Sequence, residues 1–226
     1  QNPSSLPRQV VQARLRGPLP RAIPRQPWAT MPVDIYFDAK KNKVIKKPKY
    51  GGWRVSSSWN SLTTEVDENP SAPYGVMTGE ASKLFVVDYD PYKNEEGKDP
   101  INVDYLKKIY GDDAFIVETL SGGYHVYCDY DDTIRNSPLA TIQQGLKTKG
   151  EGCVDFRGEG GFVVGPGTKF EGKEYKIVNG QKSTARDTKI PVSVFNELIE
   201  LVQKTKTKPT AVLCTANSST TCKDLV

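Results

Sequence analysis

Residues 84–90 have the sequence L-F-V-V-D-Y-D, an apolar run that ends in two acids. Four consecutive apolar residues predict a buried β-strand. Side chains at positions i and i+2 of a strand point to the same face, so Asp88 and Asp90 are expected to project together at its carboxyl end. Two like charges that close destabilise a fold unless cations compensate them, and a pair of divalent ions commonly does so. A turn or a strand-end cap is the alternative interpretation.

A second polar segment follows at residues 119–128, with the sequence T-L-S-G-G-Y-H-V-Y-C. It contains Ser121, two glycines and His125, the only histidine of the chain. Glycines let backbone N–H groups approach an anion closely, and a hydroxyl and an imidazole add donors for phosphate oxygens. The alternative is a hairpin turn followed by a half-buried histidine.

A third segment, residues 153–167, has the sequence C-V-D-F-R-G-E-G-G-F-V-V-G-P-G. Asp155 is expected on a short strand, with Arg157 two positions along on the same face. A third carboxylate from a separate strand is what a two-metal site needs beyond the first pair of acids. The alternative is a hairpin with an exposed Asp–Arg pair, and Arg157 is equally placed to pair with Asp155 or Glu159.

Around these segments, short β-like runs alternate with turn residues and a few helical stretches, which predicts an α+β fold. Helices are predicted at 102–110 and 192–205, with a further one at 138–146. The predicted strands are 33–37, 74–78, 84–89, 114–118, 123–128, 153–156, 161–164 and 174–178.

Charge is distributed unevenly along the chain. Residues 1–50 carry eleven Lys or Arg against two acids, whereas residues 51–226 carry twenty against twenty-five. Residues 1–30 also contain six prolines and no acid, which predicts a basic disordered arm that meets a polyanion. Residues 31–205 are then the folded domain, and the Ser/Thr-rich residues 206–226 are a polar linker or tail.

Residue counts exclude several kinds of site. A single histidine excludes sites that need two or three His ligands, and four scattered cysteines are too sparse for a disulfide scaffold. An intracellular, reducing setting is therefore expected. Apolar runs of four or five residues exclude a membrane span built from them.

The order of the three segments is specific, because 31 positions separate Asp90 from Ser121 and 30 separate His125 from Asp155. This series resembles the archaeo-eukaryotic primase superfamily, and most closely its prim-pol branch of bifunctional DNA primase/polymerases, over roughly residues 45–180. The flanking sequence is similar too: Lys49, Gly52 and Trp53 resemble a K-x-x-G-W entry, Thr78-Gly79 precede the first motif, and residues 157–166 form an R-G-x-G-G-F-V-V-x-P tract.

The resemblance implies a primase/RRM-like core of mixed or antiparallel sheets and a role for each motif. Asp88, Asp90 and Asp155 would hold two Mg²⁺ or Mn²⁺ ions as catalytic residues. Ser121 and His125 would bind the phosphates of the incoming NTP or dNTP, with Arg157 as a further candidate. No zinc is expected, because no cysteine cluster stands between the second and third motifs.

Resemblance and motif chemistry together predict a nucleotidyltransferase that synthesises and extends primers on a single-stranded DNA template. The resemblance also implies a replicative helicase as the partner, fused or in trans, and the sequence itself has no Walker A motif. Two other classes stay open: a metal-dependent nuclease, and a non-catalytic nucleic-acid-binding module of a replication protein.

Overall fold

The computed structural model describes residues 28–90, 101–141, 143–147 and 153–206. Most of the predicted arm and tail, residues 1–27 and 207–226, lies outside them. Within the described residues the helices are α1 (Trp59–Glu68), α2 (Val103–Tyr110), α3 (Asp132–Arg135) and α4 (Val192–Lys206). The strands are β1 (Thr30–Asp38), β2 (Lys43–Pro48), β3 (Tyr74–Met77), β4 (Leu84–Asp90), β5 (Phe115–Glu118), β6 (Tyr124–Asp129), β7 (Gln143–Lys147), β8 (Cys153–Arg157), β9 (Phe162–Val164), β10 (Lys169–Phe170), β11 (Lys173–Glu174) and β12 (Lys176–Asn179).

The strand with the two acids, β4, lies inside a six-stranded antiparallel sheet. The strand order is β12-β5-β6-β4-β8-β7. Apart from the edge strand β7, the chain from β4 to β8 follows a β-α-β-β-α-β succession, in which the first and last strands are neighbours. This arrangement confirms the predicted α+β class with antiparallel sheets.

A second antiparallel sheet has the order β2-β1-β3-β9, and β10 and β11 form a separate two-stranded ribbon. The chain enters the second sheet first, crosses to the six-stranded sheet at β4, and returns for β9. The β1–β2 hairpin forms one end of the second sheet, with β2 as its edge strand.

The six-stranded sheet is buried on both faces. On one face, Phe85 and Val126 pack against α2, α3 and α4. On the other, Val86 and Tyr127 pack in one cluster with Val76 and Val163 of the second sheet. Burying each such apolar side chain contributes about 1.5–3 kcal/mol. None of the helices among the described residues has the length and apolar character needed to span a membrane.

The predicted helix at 138–146 is wrong. Pro138–Ala140 form a single 3-10 turn capped by Ser137, whose hydroxyl accepts a hydrogen bond from the Leu139 N–H at 3.1 Å. The chain then extends as β7 and pairs with β8. Strand pairing supplies the backbone hydrogen bonds that a helix would have made internally.

The elements β2, α1, α3, β7 and β10 were not expected from the sequence, and the described fold includes residues before 31. Trp28 is buried with 3% exposure, and its ring stacks on Tyr127 with centroids 5.5 Å apart. The Ala29 N–H donates to the Ser82 hydroxyl at 3.0 Å. Trp28 and Ala29 therefore pack together with residues 31–205 in the described structure.

Candidate active site

Strand register aligns three of the predicted site residues across the six-stranded sheet. Asp88 of β4 is paired with His125 of β6 on one side and with Asp155 of β8 on the other. Directly opposite residues of antiparallel strands point to the same face. Asp88 also shares a face with Val86, which packs towards the second sheet. The row therefore faces the space between the two sheets.

Arg157 and His125 contact the paired acids. The Arg157 Nη2 donates to Asp155 Oδ2 at 3.0 Å and lies 3.9 Å from Asp88 Oδ2. His125 Nε2 lies 3.6 Å from Asp88 Oδ1. These side chains are between 6% and 18% exposed, so their charges act in a partly dehydrated environment. The arginine thus partly neutralises the two acids.

Asp88 lies near two other acids, and this environment disfavours its ionised form. Its pKa is raised to about 7, mainly by burial and also by the charges of Asp90 and Asp155, against the opposing effect of Arg157 and Lys46. Strand geometry places the three carboxylates near one another, and the repulsion among them contributes to the raised pKa of Asp88. The pair formed by Asp88 and Asp155 is therefore poised to accept additional positive charge.

His125 is neutral in this environment. Its pKa is lowered to about 3, mainly by burial, with smaller contributions from the positive charges of Lys46 and Arg157. Within the described residues, its buried Nδ1 has no hydrogen-bond partner. A neutral imidazole still has one N–H donor, so His125 can bind an anionic oxygen without carrying a charge.

The Ser-Gly-Gly segment forms the β5–β6 turn beside the end of β4. The Gly122 N–H donates to the Thr119 carbonyl at 3.0 Å, and the Ser121 and Thr119 hydroxyls are 3.1 Å apart. A Cβ on Gly123 would lie 2.3 Å from the Tyr89 carbonyl oxygen and 3.3 Å from the Asp90 carboxylate. Only glycine allows this turn to approach β4 so closely, and the approach brings the turn beside Asp90.

Two adjoining cavities open between the sheets and share Lys46. The first, about 190 Å³, is lined by Lys46, Asp88, His125, Arg157, Phe162, Val163, Val164 and Tyr175. The second, about 430 Å³, is lined by Lys43, Val44, Lys46, Asp90, Leu120, Ser121, Phe170, Glu171 and Lys173. Together the two cavities contact five of the six predicted site residues, and Asp155 adjoins the first through Arg157.

Lys46 is the first of two cleft residues that the sequence analysis did not predict. The residue as a whole is exposed, yet neighbouring side chains desolvate its ammonium group and lower its pKa, while Asp88 and Asp90 act in the opposite direction. Its Nζ lies 5.5 Å from the centre of the Tyr175 ring. The second sheet therefore contributes a cation opposite the acids of the first. Lys49, the lysine of the K-x-x-G-W entry, pairs with Glu65 at 3.5 Å and lines a different cavity.

Tyr175 is the second residue that was missed. It is completely buried, its ring lies 5.7 Å from that of His125, and burial raises the pKa of its hydroxyl. In the part of the chain that the structure describes, this hydroxyl has no hydrogen-bond partner. A lone tyrosine outside the three motifs gives no sequence signal of this position.

The flanking motifs pack against one another next to the site. The Thr78 hydroxyl donates to the Gly158 carbonyl at 2.7 Å, and the Glu80 N–H donates to the Glu159 carboxylate at 2.7 Å. Trp53 packs edge-on against Phe162 with centroids 5.5 Å apart. These motifs therefore hold the turn after β8 in place, which fixes the position of Arg157.

The three acids have the chemistry of a site for a hard divalent cation, because Mg²⁺ and Mn²⁺ prefer oxygen ligands. Within the described residues, however, no group of three or more His, Cys, Asp and Glu side chains is placed to hold a metal ion. Mg²⁺ in phosphoryl-transfer sites is commonly bound by one or two carboxylates together with substrate phosphates. The donor chemistry thus fits an ion that arrives with a nucleotide.

Comparison with known proteins agrees with the family resemblance. A search of curated proteins found no match. The family described as "Bifunctional DNA primase/polymerase, N-terminal" matches residues 21–192, well over half of the chain, and this range includes all six predicted site residues. The chain therefore belongs to the Prim-Pol family, and so to a class of nucleotidyltransferase-type enzymes that bind DNA and nucleotides.

Proposed function

We propose that the chain is a template-directed primase and polymerase that forms phosphodiester bonds on single-stranded DNA. The observation that carries this proposal is the row of Asp155, Asp88 and His125 across three neighbouring strands, facing a cleft whose opposite wall supplies Lys46. The row combines carboxylates for metal ions with donors for phosphates in one place.

In this proposal the acidic residues bind the metal ions, and the hydrogen-bond donors bind the phosphates. Asp88, Asp90 and Asp155 would hold two Mg²⁺ or Mn²⁺ ions, which when bound activate the attacking hydroxyl and neutralise the triphosphate. Ser121 and the neutral His125 would donate hydrogen bonds to phosphate oxygens.

Arg157 and Lys46 would add positive charge at the phosphates. When a metal-bound triphosphate enters, the Arg157 guanidinium can exchange its contact with Asp155 for a phosphate oxygen. Until then, the guanidinium between the two acids reduces the repulsion between them.

A nuclease and a non-catalytic binding module are the competing functions. A nuclease function would not explain the Ser-Gly-Gly turn and His125. A non-catalytic binding module would not explain why three acids face the site of a polyanion. We also propose a replicative helicase, fused or in trans, as the partner and an intracellular site of replication as the location.

One assay distinguishes the three functions. The chain is incubated with single-stranded template, Mg²⁺ or Mn²⁺ and labelled NTPs or dNTPs, without a primer, beside the variants Asp155→Asn and Asp187→Asn. Asp187 is exposed and lies outside the cleft residues, so its variant is the matched control. Products longer than a dinucleotide that disappear only with Asp155→Asn support the proposal. A shortened template indicates a nuclease, and binding without either product indicates a module.

A further inference from the structure

Residues 34–50, which include most of the β1–β2 hairpin, are the most lysine-rich segment of the described residues and lie beside the cleft. They carry six lysines within ten positions against two acids, whereas residues 51–226 have a net negative charge. Lys41, Lys47 and Lys49 have acid partners at 3.5–3.9 Å, but these are exposed pairs. Exposed ion pairs contribute about 1 kcal/mol or less, so phosphates can displace them.

Exposed aromatic rings lie among these lysines. Tyr36, Phe37 and Tyr50 are 42%, 49% and 42% exposed, although rings of this size are usually buried. Phe37 shares a face of the hairpin with Lys46, whereas Lys47 lies over Tyr36 at 5.5 Å on the opposite face, and Lys49 lies over Tyr50 at 5.1 Å beyond β2. A lysine-rich hairpin with exposed rings has the composition of a binding site for single-stranded nucleic acid, where phosphates contact cations and bases stack on rings.

Register connects this surface to the cleft. Phe37 is paired with Val44, so their side chains share a face, and Lys46 lies on that face two positions along. Val44 and Lys46 line the larger cavity together with Asp90 and Ser121. A nucleic-acid strand that binds along this face of the hairpin would therefore lead directly to the carboxylates.

We propose that this face of the β1–β2 hairpin binds single-stranded DNA and guides it into the cleft. The identity of the strand as template rests on the proposed function, whereas the binding itself does not. Lysines at the tip of the hairpin contact phosphates, and Phe37 stacks on a base at the entrance.

The charge contribution is tested by fluorescence anisotropy with labelled oligothymidylate in EDTA, without nucleotides. Lys40, Lys41 and Lys43 are changed to Gln in one full-length variant; Lys107, Lys108 and Lys204, on α2 and α4 behind the six-stranded sheet, are changed to Gln in the other. Each phosphate contact adds about 0.7 to the slope of log affinity against log salt. The hairpin variant should lower that slope by about 2 and the control by none. Equal slopes in the two variants would overturn the proposal.

The stacking contribution is tested with Phe37→Ala and an abasic oligonucleotide of the same length. Stacking of one base on a ring strengthens binding by about 5- to 150-fold. Phe37→Ala should therefore weaken binding to oligothymidylate by a factor in this range and leave binding to the abasic strand unchanged. Equal losses on the two oligonucleotides, or no loss on either, would contradict a stacking role, and melting curves verify that each variant folds.

Failure of this inference is distinguishable from failure of the proposed function. Binding that depends on the hairpin, in a chain that makes no product, would uphold the hairpin and overturn the polymerase. If the chain synthesises product but its DNA binding does not depend on the hairpin, the polymerase proposal would stand and the hairpin inference would be overturned.

Discussion

Asp88 destabilises the folded chain in the absence of cations, because its pKa rises from 3.8 to about 7 on folding. The folded state then binds more protons than the unfolded state between these values, so stability falls as pH rises through that window. The decrease is at most about 1.4 kcal/mol per pH unit for one group. Above pH 7 the whole penalty is present, and below about pH 4 it is absent.

Asp88→Asn should therefore stabilise the chain in EDTA, and more at pH 8 than at pH 5. Melting temperature measured at both pH values tests this, with about 2–4 °C expected for each kcal/mol in a chain of this size. The exposed Asp187→Asn variant serves as the control. A gain that is the same at both pH values, or a loss, would show that repulsion among the acids does not set the stability of Asp88.

Lys46 and Lys47 are neighbours in sequence with different surroundings, which makes them a matched pair. Lys46 lines both cavities, whereas Lys47 contacts Asp34 and Tyr36 on the other face of the hairpin. Hydrogen bonds to charged groups contribute about 1.5–3 kcal/mol, or roughly ten- to hundredfold in affinity. Lys46→Ala should weaken binding of a nucleoside triphosphate by about this factor, and Lys47→Ala should leave it nearly unchanged. Titration with a fluorescent nucleotide measures both, and equal losses would remove Lys46 from the site.

At the scale of elements, the β5–β6 turn depends on close contact with β4. In Gly123→Ala the new Cβ would meet the Tyr89 carbonyl at 2.3 Å, so the turn must move away from Asp90. In Gly122→Ala the Cβ meets open space, and only the positive φ of 80° costs about 1–2 kcal/mol. Gly123→Ala should lower both the unfolding free energy, by about 2 kcal/mol or more, and nucleotide affinity.

Urea unfolding and nucleotide titration of the two glycine variants check this prediction. If Gly122→Ala lowers nucleotide affinity as much as Gly123→Ala does, backbone strain in the turn explains the effect and contact with β4 does not.

Elements with a strong apolar pattern were predictable from the sequence, and those without one were not. L-F-V-V-D-Y-D begins with four apolar residues, and β4 is observed at Leu84–Asp90 where a strand was predicted at 84–89. The sequence of β2, K-V-I-K-K-P, contains three lysines and a proline, and it is a strand because β1 pairs with it. In α1 only Leu62 and Val66 are buried, among Ser and Thr residues of low helix propensity.

The same cause explains which site residues were found. Asp88, Asp90, Asp155, Ser121, His125 and Arg157 lie in motifs whose chemistry and spacing are visible in sequence. Lys46 lies on the strand that had no pattern, so its position opposite the acids depends on how two sheets pack. Long-range packing of this kind leaves no local signal.

At the scale of the whole chain, the contribution of the basic residues 1–27 to binding can be measured separately from the stability of the fold, because Trp28 marks the first buried residue of the described structure. Deleting residues 1–27 removes five arginines but keeps Trp28 in the core. If three of these arginines contact phosphates, the salt slope on single strands should fall by about 2 with no change in melting temperature.

Deleting residues 1–30 should produce the same slope change and also destabilise the fold, because loss of a buried tryptophan costs about 3–5 kcal/mol. Salt titrations and melting curves of the two truncations separate the contributions. An unchanged slope after either deletion would mean that the arm does not contact nucleic acid.

The path of the chain between the two sheets has a consequence for how the protein acquires its structure. The second sheet takes strands from residues 30–48, 74–77 and 162–164, and the other sheet takes strands from 84–157 and 176–179. Each sheet therefore joins strands that are distant in sequence, residues 30–38 with 162–164 in one and residues 84–90 with 153–157 in the other. Contacts so distant in sequence predict slow folding, and during synthesis the chain must leave the ribosome as far as Tyr175 before all of the residues that line the cleft are available.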